Sequence, residues 1–144
     1  MGQRVQEGPL VVNTGDRMAS KIILVVDDEP DIRRIATIAL ERLGGFEVFS
    51  RASGEAAIEF VRGVRPAVVL LDVMMPGMDG PSTLAQLRQL TLADPVPVIF
   101  LTARVQRHDV DRYLGLGAIG VIGKPFDPLT LPTRIAQLLG WSPP

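Results

Sequence analysis

Short apolar runs alternate along this chain with segments of helical period, and that alternation restricts the possible folds more than any other feature. Ile22-Ile23-Leu24-Val25-Val26, Ala67-Val68-Val69-Leu70-Leu71 and Val98-Ile99-Phe100-Leu101 are unbroken apolar stretches of strand length, and Val121-Ile122-Gly123 is a shorter fourth. Strands that read as continuous apolar runs are buried on both faces. Strand and helix patterns in alternation argue for βαβ units and a parallel sheet. Strands are expected at about Ile22 to Val26, Phe46 to Ser50, Ala67 to Leu71, Val96 to Leu101 and Gly120 to Ile122.

The intervening segments carry helix signals. Pro30 opens the first helix, where its missing N–H costs nothing. Ile32, Ile35, Ala36, Ala39, Leu40 and Leu43 recur at helical spacing, and Gly44-Gly45 end the run. Ser53 is the expected cap of Gly54 to Arg62, with Ala57, Phe60 and Val61 inward. Pro81 opens a third helix with Leu84, Leu87 and Leu90 on one face. A fourth, weakly amphipathic, runs from about Gln106 to Leu114 and closes at Gly115 and Gly117. Asp127-Pro128 opens the fifth, whose stripe is Leu131, Ile135, Leu138 and Leu139. Right-handed crossovers put these helices on both faces of a doubly wound, five-stranded parallel α/β sheet.

The apolar runs finish on polar groups. Asp27 and Asp28 end the first, Asp72 the second and Thr102 the third, while Lys124 follows the fourth and precedes Pro125. Strand ends of one kind share one edge of a parallel sheet, and ligands bind there. Such an edge gathers three carboxylates, a hydroxyl and an ammonium. Clustered carboxylates raise one another's pKa values. A hard divalent cation removes that cost, and Mg²⁺ held by one or two carboxylates plus phosphate oxygens is its usual setting.

Taken singly, each of these residues has a plainer explanation. An Asp after a strand is commonly a turn former or helix cap, and Thr102 alone reads as a cap or a β-branched strand residue. Lys124 alone reads as a solvated lysine, and His108 lies on a polar helix and is expected to be exposed. Asp79-Gly80 is expected to be a loop-to-helix transition. Met74, Met75 and Met78 could form an adaptable binding surface, but loop packing is the expectation for Met75 and Met78. Joint placement is what lifts the set above these readings.

Composition removes several function classes. The chain has 144 residues, 47% of them hydrophobic, enough for one domain with a core. A net charge of −1 creates no field favouring nucleic acid or an anionic membrane. There is no cysteine and one histidine, so disulfides, Cys-ligated metals and a His-based zinc site drop out. No apolar run approaches the roughly 20 residues of a membrane helix. Leu10-Val11-Val12 is too short for a signal peptide, so a reducing cytoplasm is the expected setting. Residues 1–19 read as a tail, either a vector remnant or the product of a start upstream of Met18. Residues 20–140 read as the single domain and 141–144 as a short C-terminal tail.

The stretches Val25-Val26-Asp27-Asp28-Glu29-Pro30, Leu70-Leu71-Asp72-Val73-Met74-Met75-Pro76-Gly77-Met78-Asp79-Gly80, Val98-Ile99-Phe100-Leu101-Thr102-Ala103 and Gly123-Lys124-Pro125-Phe126 together resemble a response-regulator receiver domain of two-component signalling. The similarity covers about Lys21 to Gly140. The resemblance implies a flavodoxin-like strand order 2-1-3-4-5. It also implies that Asp72 accepts a phosphoryl group from a phosphohistidine on a sensor histidine kinase or histidine phosphotransferase. Asp28, Asp72 and the backbone carbonyl of Met74 would ligate Mg²⁺, with Asp27 holding it through water. Thr102 and Lys124 would bond phosphoryl oxygens, and Lys124-Pro125 would be a cis peptide. Met74 and Arg104 would flank the path of a hydrolytic water.

The chain departs from the pattern at Val121, where many receivers carry Tyr or Phe as part of the switch. The expectation is a stand-alone phosphoacceptor switch rather than a metabolic enzyme, with a fragment of a larger protein as the alternative. It would be a monomer, or a weak dimer through the face of the fourth helix, fifth strand and fifth helix, and would signal through an unknown downstream protein with no nucleic acid or membrane partner. Three other readings stay open on the residues. A flavodoxin-type FMN binder shares the fold, but Asp27-Asp28-Glu29-Pro30-Asp31 would repel a metal-free phosphate. An aspartate-nucleophile phosphatase of the haloacid dehalogenase type needs Asp-x-Asp, and here the aspartates are adjacent. The third is a receiver-like adaptor that is never phosphorylated.

Overall fold

The computed structural model describes residues 21–142, so the expected tail at 1–19, Ser20 and the terminal Pro143-Pro144 lie outside the described residues. Elements follow in the order β1 (Ile22–Val26), α1 (Pro30–Arg42), β2 (Glu47–Arg51), α2 (Gly54–Gly63), β3 (Val68–Asp72), α3 (Gly80–Leu90), β4 (Val98–Thr102), α4 (Arg107–Gly115), β5 (Gly120–Gly123) and α5 (Leu131–Leu139). The five strands form one sheet in the order β2-β1-β3-β4-β5. All pairings are parallel, with Val26 opposite Leu71, Asp72 opposite Leu101 and Thr102 opposite Gly123. The order reverses between β1 and β3, and that crevice is where doubly wound sheets take ligands.

Side chains alternate across each strand, and the core divides accordingly. Leu24, Val26, Leu71 and Phe100 face α2 and α3. Ile23, Val25, Leu70 and Ile99 face α1 and α5. β3 and β4 are buried along their whole length, as their unbroken apolar runs require. At the N-terminal edge of the sheet Trp141 packs on Phe46, ring centroids 5.8 Å apart, while the Lys21 ammonium lies 4.7 Å from its ring.

Local signals account for most boundaries. The Ser53 side chain caps α2 by accepting from Ala56 N at 3.1 Å, and Gly45, at φ 71°, supplies the left-handed turn that ends the segment after α1. Asp79 is indeed the loop-to-helix residue, its Oδ1 accepting from Ser82 N at 2.8 Å. That hydrogen bond holds its carboxyl below the ordinary value. Some expectations need correction. Asp127-Pro128 does not open α5. Asp127 Oδ1 accepts from Leu129 N at 2.9 Å, and this closed turn delays the helix to Leu131. Ile35 of α1, Leu43 just past its end and Leu90 of α3 have the helical spacing but lie exposed on the flanks of their stripes. Among the described residues, no helix is long and apolar enough to cross a membrane.

Candidate functional site

The C-terminal edge of the sheet brings the predicted polar residues together. Asp27 is fully buried, Asp72 and Thr102 are each 3% exposed, and Lys124 is partly covered. Parallel strands β1 and β3 are neighbours, so their ends place Asp27, Asp28 and Asp72 side by side. One carboxylate oxygen from each lies within 4.8 Å of the others, Asp28 being nearest to solvent. Lys124, just past β5, reaches across β4 to this cluster. Its Nζ is 2.7 Å from Asp27 Oδ2, 3.1 Å from Asp72 Oδ1 and 3.9 Å from Glu29 Oε1. The peptide Lys124-Pro125 is cis, as the resemblance implied.

Local hydrogen bonds hold the acids in place. Asp27 Oδ1 accepts from Glu29 N at 2.9 Å, and Asp72 Oδ1 accepts from Met74 N at 3.3 Å. Asp27 Oδ2 is buried with the Lys124 ammonium beside it as its neighbouring charge. Burial pushes the Asp72 carboxyl up to about 6, the charge of Asp27 adds to that, and Lys124 opposes it. Burial alone would lower the Lys124 ammonium, but its two carboxylate partners outweigh this and shift it upward. Three carboxylates this close, with one ammonium between two of them, make a site short of positive charge. Hard oxygen donors in this number fit a divalent cation such as Mg²⁺.

The remaining predicted residues fall as follows. Thr102 ends β4 at the same edge, its Oγ1 accepting from Arg104 N at 3.0 Å. Met74 is 72% exposed in the loop after β3, whereas Met75 is buried and Met78 packs on the core. His108 has an exposed side chain, as expected. Val121 stands opposite Phe100 and is half-buried.

Three supporting residues were not foreseen from the sequence. Arg33 donates from a guanidinium nitrogen to the Asp27 carbonyl at 2.7 Å, tying α1 to the end of β1. Nothing in the sequence marks an arginine for that reach. Gly80 packs against the backbone of Asp72. A Cβ there would lie 2.5 Å from the Asp72 carbonyl oxygen and 2.8 Å from Val73 Cα. The Asp79-Gly80 pair was its one signal. Tyr113 of α4 is buried against Phe100, ring centroids 5.3 Å apart.

A family model for the response regulator receiver domain matches residues 23–136. The transcriptional regulatory protein CseB of Streptomyces coelicolor is 41% identical over 117 residues, 81% of this chain and 48% of that protein. The alkaline phosphatase synthesis transcriptional regulatory protein PhoP of Bacillus subtilis is 38% identical over 120 residues, 83% of this chain and 49% of that protein. The chain thus spans about half the length of the curated relatives it matches. Among solved structures, the chemotaxis protein CheY4 of Vibrio cholerae superposes with a TM-score of 0.76 at 28% identity, covering 83% of this chain and 98% of that one. A response regulator from Chloroflexus aurantiacus gives 0.75 at 30% identity, covering 84% and 98%.

Proposed function

We propose a phosphoacceptor role from the premise that this chain belongs to the response regulator receiver domain family. Asp72 takes a phosphoryl group from a phosphohistidine on a sensor histidine kinase or histidine phosphotransferase. The product is a labile aspartyl phosphate that alters contacts with a downstream protein. Lys124 carries this reading, because its ammonium bridges Asp27 Oδ2 and Asp72 Oδ1 and so fixes a positive charge beside the nucleophile.

Phosphoryl transfer asks for an in-line nucleophile and charge stabilisation at the equatorial oxygens. Without a cation the Asp72 carboxyl is held near 6, and a cation bound beside it favours the ionised form that attacks. Asp72 attacks phosphorus, the new O–P bond forms as the N–P bond breaks, and the imidazole of the donor leaves. Lys124 Nζ and the Thr102 hydroxyl donate hydrogen bonds to the phosphoryl oxygens. Asp28, Asp72 and the Met74 carbonyl would hold Mg²⁺, with Asp27 behind, and the ion supplies neutralisation of charge on the transferring group. Met74 and Arg104 flank the path by which water would later reverse the modification.

On this reading the domain is a switch in the cytoplasm, not a metabolic enzyme. Its output runs through protein contacts, with self-association confined to a weak dimer across α4, β5 and α5. Incubation with Mg²⁺ and acetyl phosphate should add the mass of one phosphoryl group. Asp72→Asn should add none, and uptake by this variant equal to that of wild type would overturn the assignment.

A further inference from the structure

The helices are not anchored equally. α1 buries three residues, and α2, α3 and α5 bury four each, whereas α4 buries Tyr113 alone. Around that side chain the helix is open. Leu114 and Leu116 are exposed, and a Cβ added at Gly115 would meet nothing within 4 Å. A nine-residue helix is marginal without tertiary packing, and Tyr113 is its one fully buried anchor, with Asp109 and Val110 half-buried beside it.

That ring rests on a residue aligned with the acidic site. Tyr113 meets Phe100 at 5.3 Å with the rings tilted by 60°. Phe100 and Thr102 are two residues apart on β4 and share a face. Phe100 also abuts the start of α3, where a Cβ at Gly80 would lie 3.1 Å from Phe100 Cε1. Gly80 is itself against the Asp72 backbone. A second tie runs through the loop, since Thr102 Oγ1 accepts from Arg104 N three residues before α4 begins. Val121, in register with Phe100, is too small to fill an aromatic-sized space from β5.

We propose that Tyr113 couples the phosphorylation state of Asp72 to the position of α4, with the Phe100 ring as the contact between them. This rests on Asp72 being the phosphoacceptor. A Thr102 hydroxyl drawn to a phosphoryl oxygen pulls on both ties, the Arg104 loop and the face that carries Phe100. A ring that belongs to the moving helix makes displacement of ring and helix one event. Core contacts of this kind are bistable rather than continuously deformable.

Tyr113 is the only tyrosine of the chain, so biosynthetic 3-fluorotyrosine places one fluorine reporter at this contact. Beryllofluoride with Mg²⁺ should shift its resonance in the wild-type chain and leave it in place in Asp72→Asn. Acetyl phosphate labelling of the same sample is read by mass. An unmoved resonance in protein that takes label at Asp72 overturns this inference and leaves the phosphoacceptor reading standing, whereas absence of label overturns both. Tyr113→Leu keeps an apolar anchor without the ring. It should label at the wild-type rate while losing the beryllofluoride-induced change in α4 amide exchange, and an undiminished α4 response in this variant also overturns the proposal.

Discussion

Asp72 shows what the burial of a functional carboxylate does to the molecule that carries it. Unfolded, it ionises near 3.8, and folded near 6, because burial disfavours its charge more than Lys124 favours it. Between those pH values the folded chain holds a proton that the unfolded chain has lost. Stability therefore falls as pH rises through this window, and the cost is fully present above it. Lys124 has the opposite sign. Its contribution is complete below its ordinary 10.5 and disappears only at higher pH, outside the Asp72 window. Asp72→Asn should accordingly stabilise the metal-free domain at pH 7 by on the order of 1 kcal/mol, discounted for solvent at the mouth of the site. The gain should vanish near pH 4. Thermal melts in EDTA at the two pH values check this, and a variant no more stable than wild type at pH 7 contradicts it. Asp27, Asp28, Asp72, Thr102 and Lys124 were legible one by one because each sits where an apolar run stops. Arg33 was not, because its role depends on a side chain crossing a turn, and no spacing in the sequence encodes that reach.

At the level of elements, the chain could be read where turn chemistry and period agree. Ser53, Gly45 and Asp79 end or begin helices as their residue types dictate. Tertiary packing decided the rest. Helical spacing groups Ile35 and Leu43 with Ala36 and Leu40, but Ala36 and Leu40 lie in the core against the sheet while the flanking pair stays exposed. α4 reads as weakly amphipathic because His108, Asp109, Asp111 and Arg112 surround one aromatic, and a single buried residue leaves no period to detect. The start of α3 is set by contact rather than by propensity. Gly80 N donates to the Val73 carbonyl at 2.9 Å, and the absence of a side chain lets the helix begin against the end of β3. Gly80→Ala, although favourable to helix formation in isolation, should destabilise the domain by about 1–3 kcal/mol, the usual cost of overpacking. It should also slow labelling of Asp72 by shifting its backbone. Chemical denaturation and the acetyl phosphate assay measure the two effects, and a variant as stable and as reactive as wild type would show that the contact relaxes freely.

For the whole molecule, the strand order and the two-faced core follow from the unbroken apolar runs, which leave a parallel sheet covered on both sides as the arrangement that buries them. What the chain's pattern could not reveal is the strength with which the acidic edge opposes folding, since that depends on distances across strands far apart in sequence. Mg²⁺ that binds only the folded state stabilises it by RT ln(1 + [L]/Kd), about 1.4 kcal/mol at tenfold Kd. Melts with Mg²⁺ and with EDTA should differ by that order, and Asp28→Ala should erase the difference while leaving Asp72 in place. Equal melting temperatures for wild type in the two buffers would count against the metal site. The packing of Trp141 with Phe46 and Lys21 has a practical meaning of its own. Both described ends of the chain are fastened at the pole of the sheet opposite the acids. A bead or a dye fixed at Lys21 or Trp141 therefore sits beneath the domain like a stalk, and the reactive pole stays presented to whatever arrives from solution.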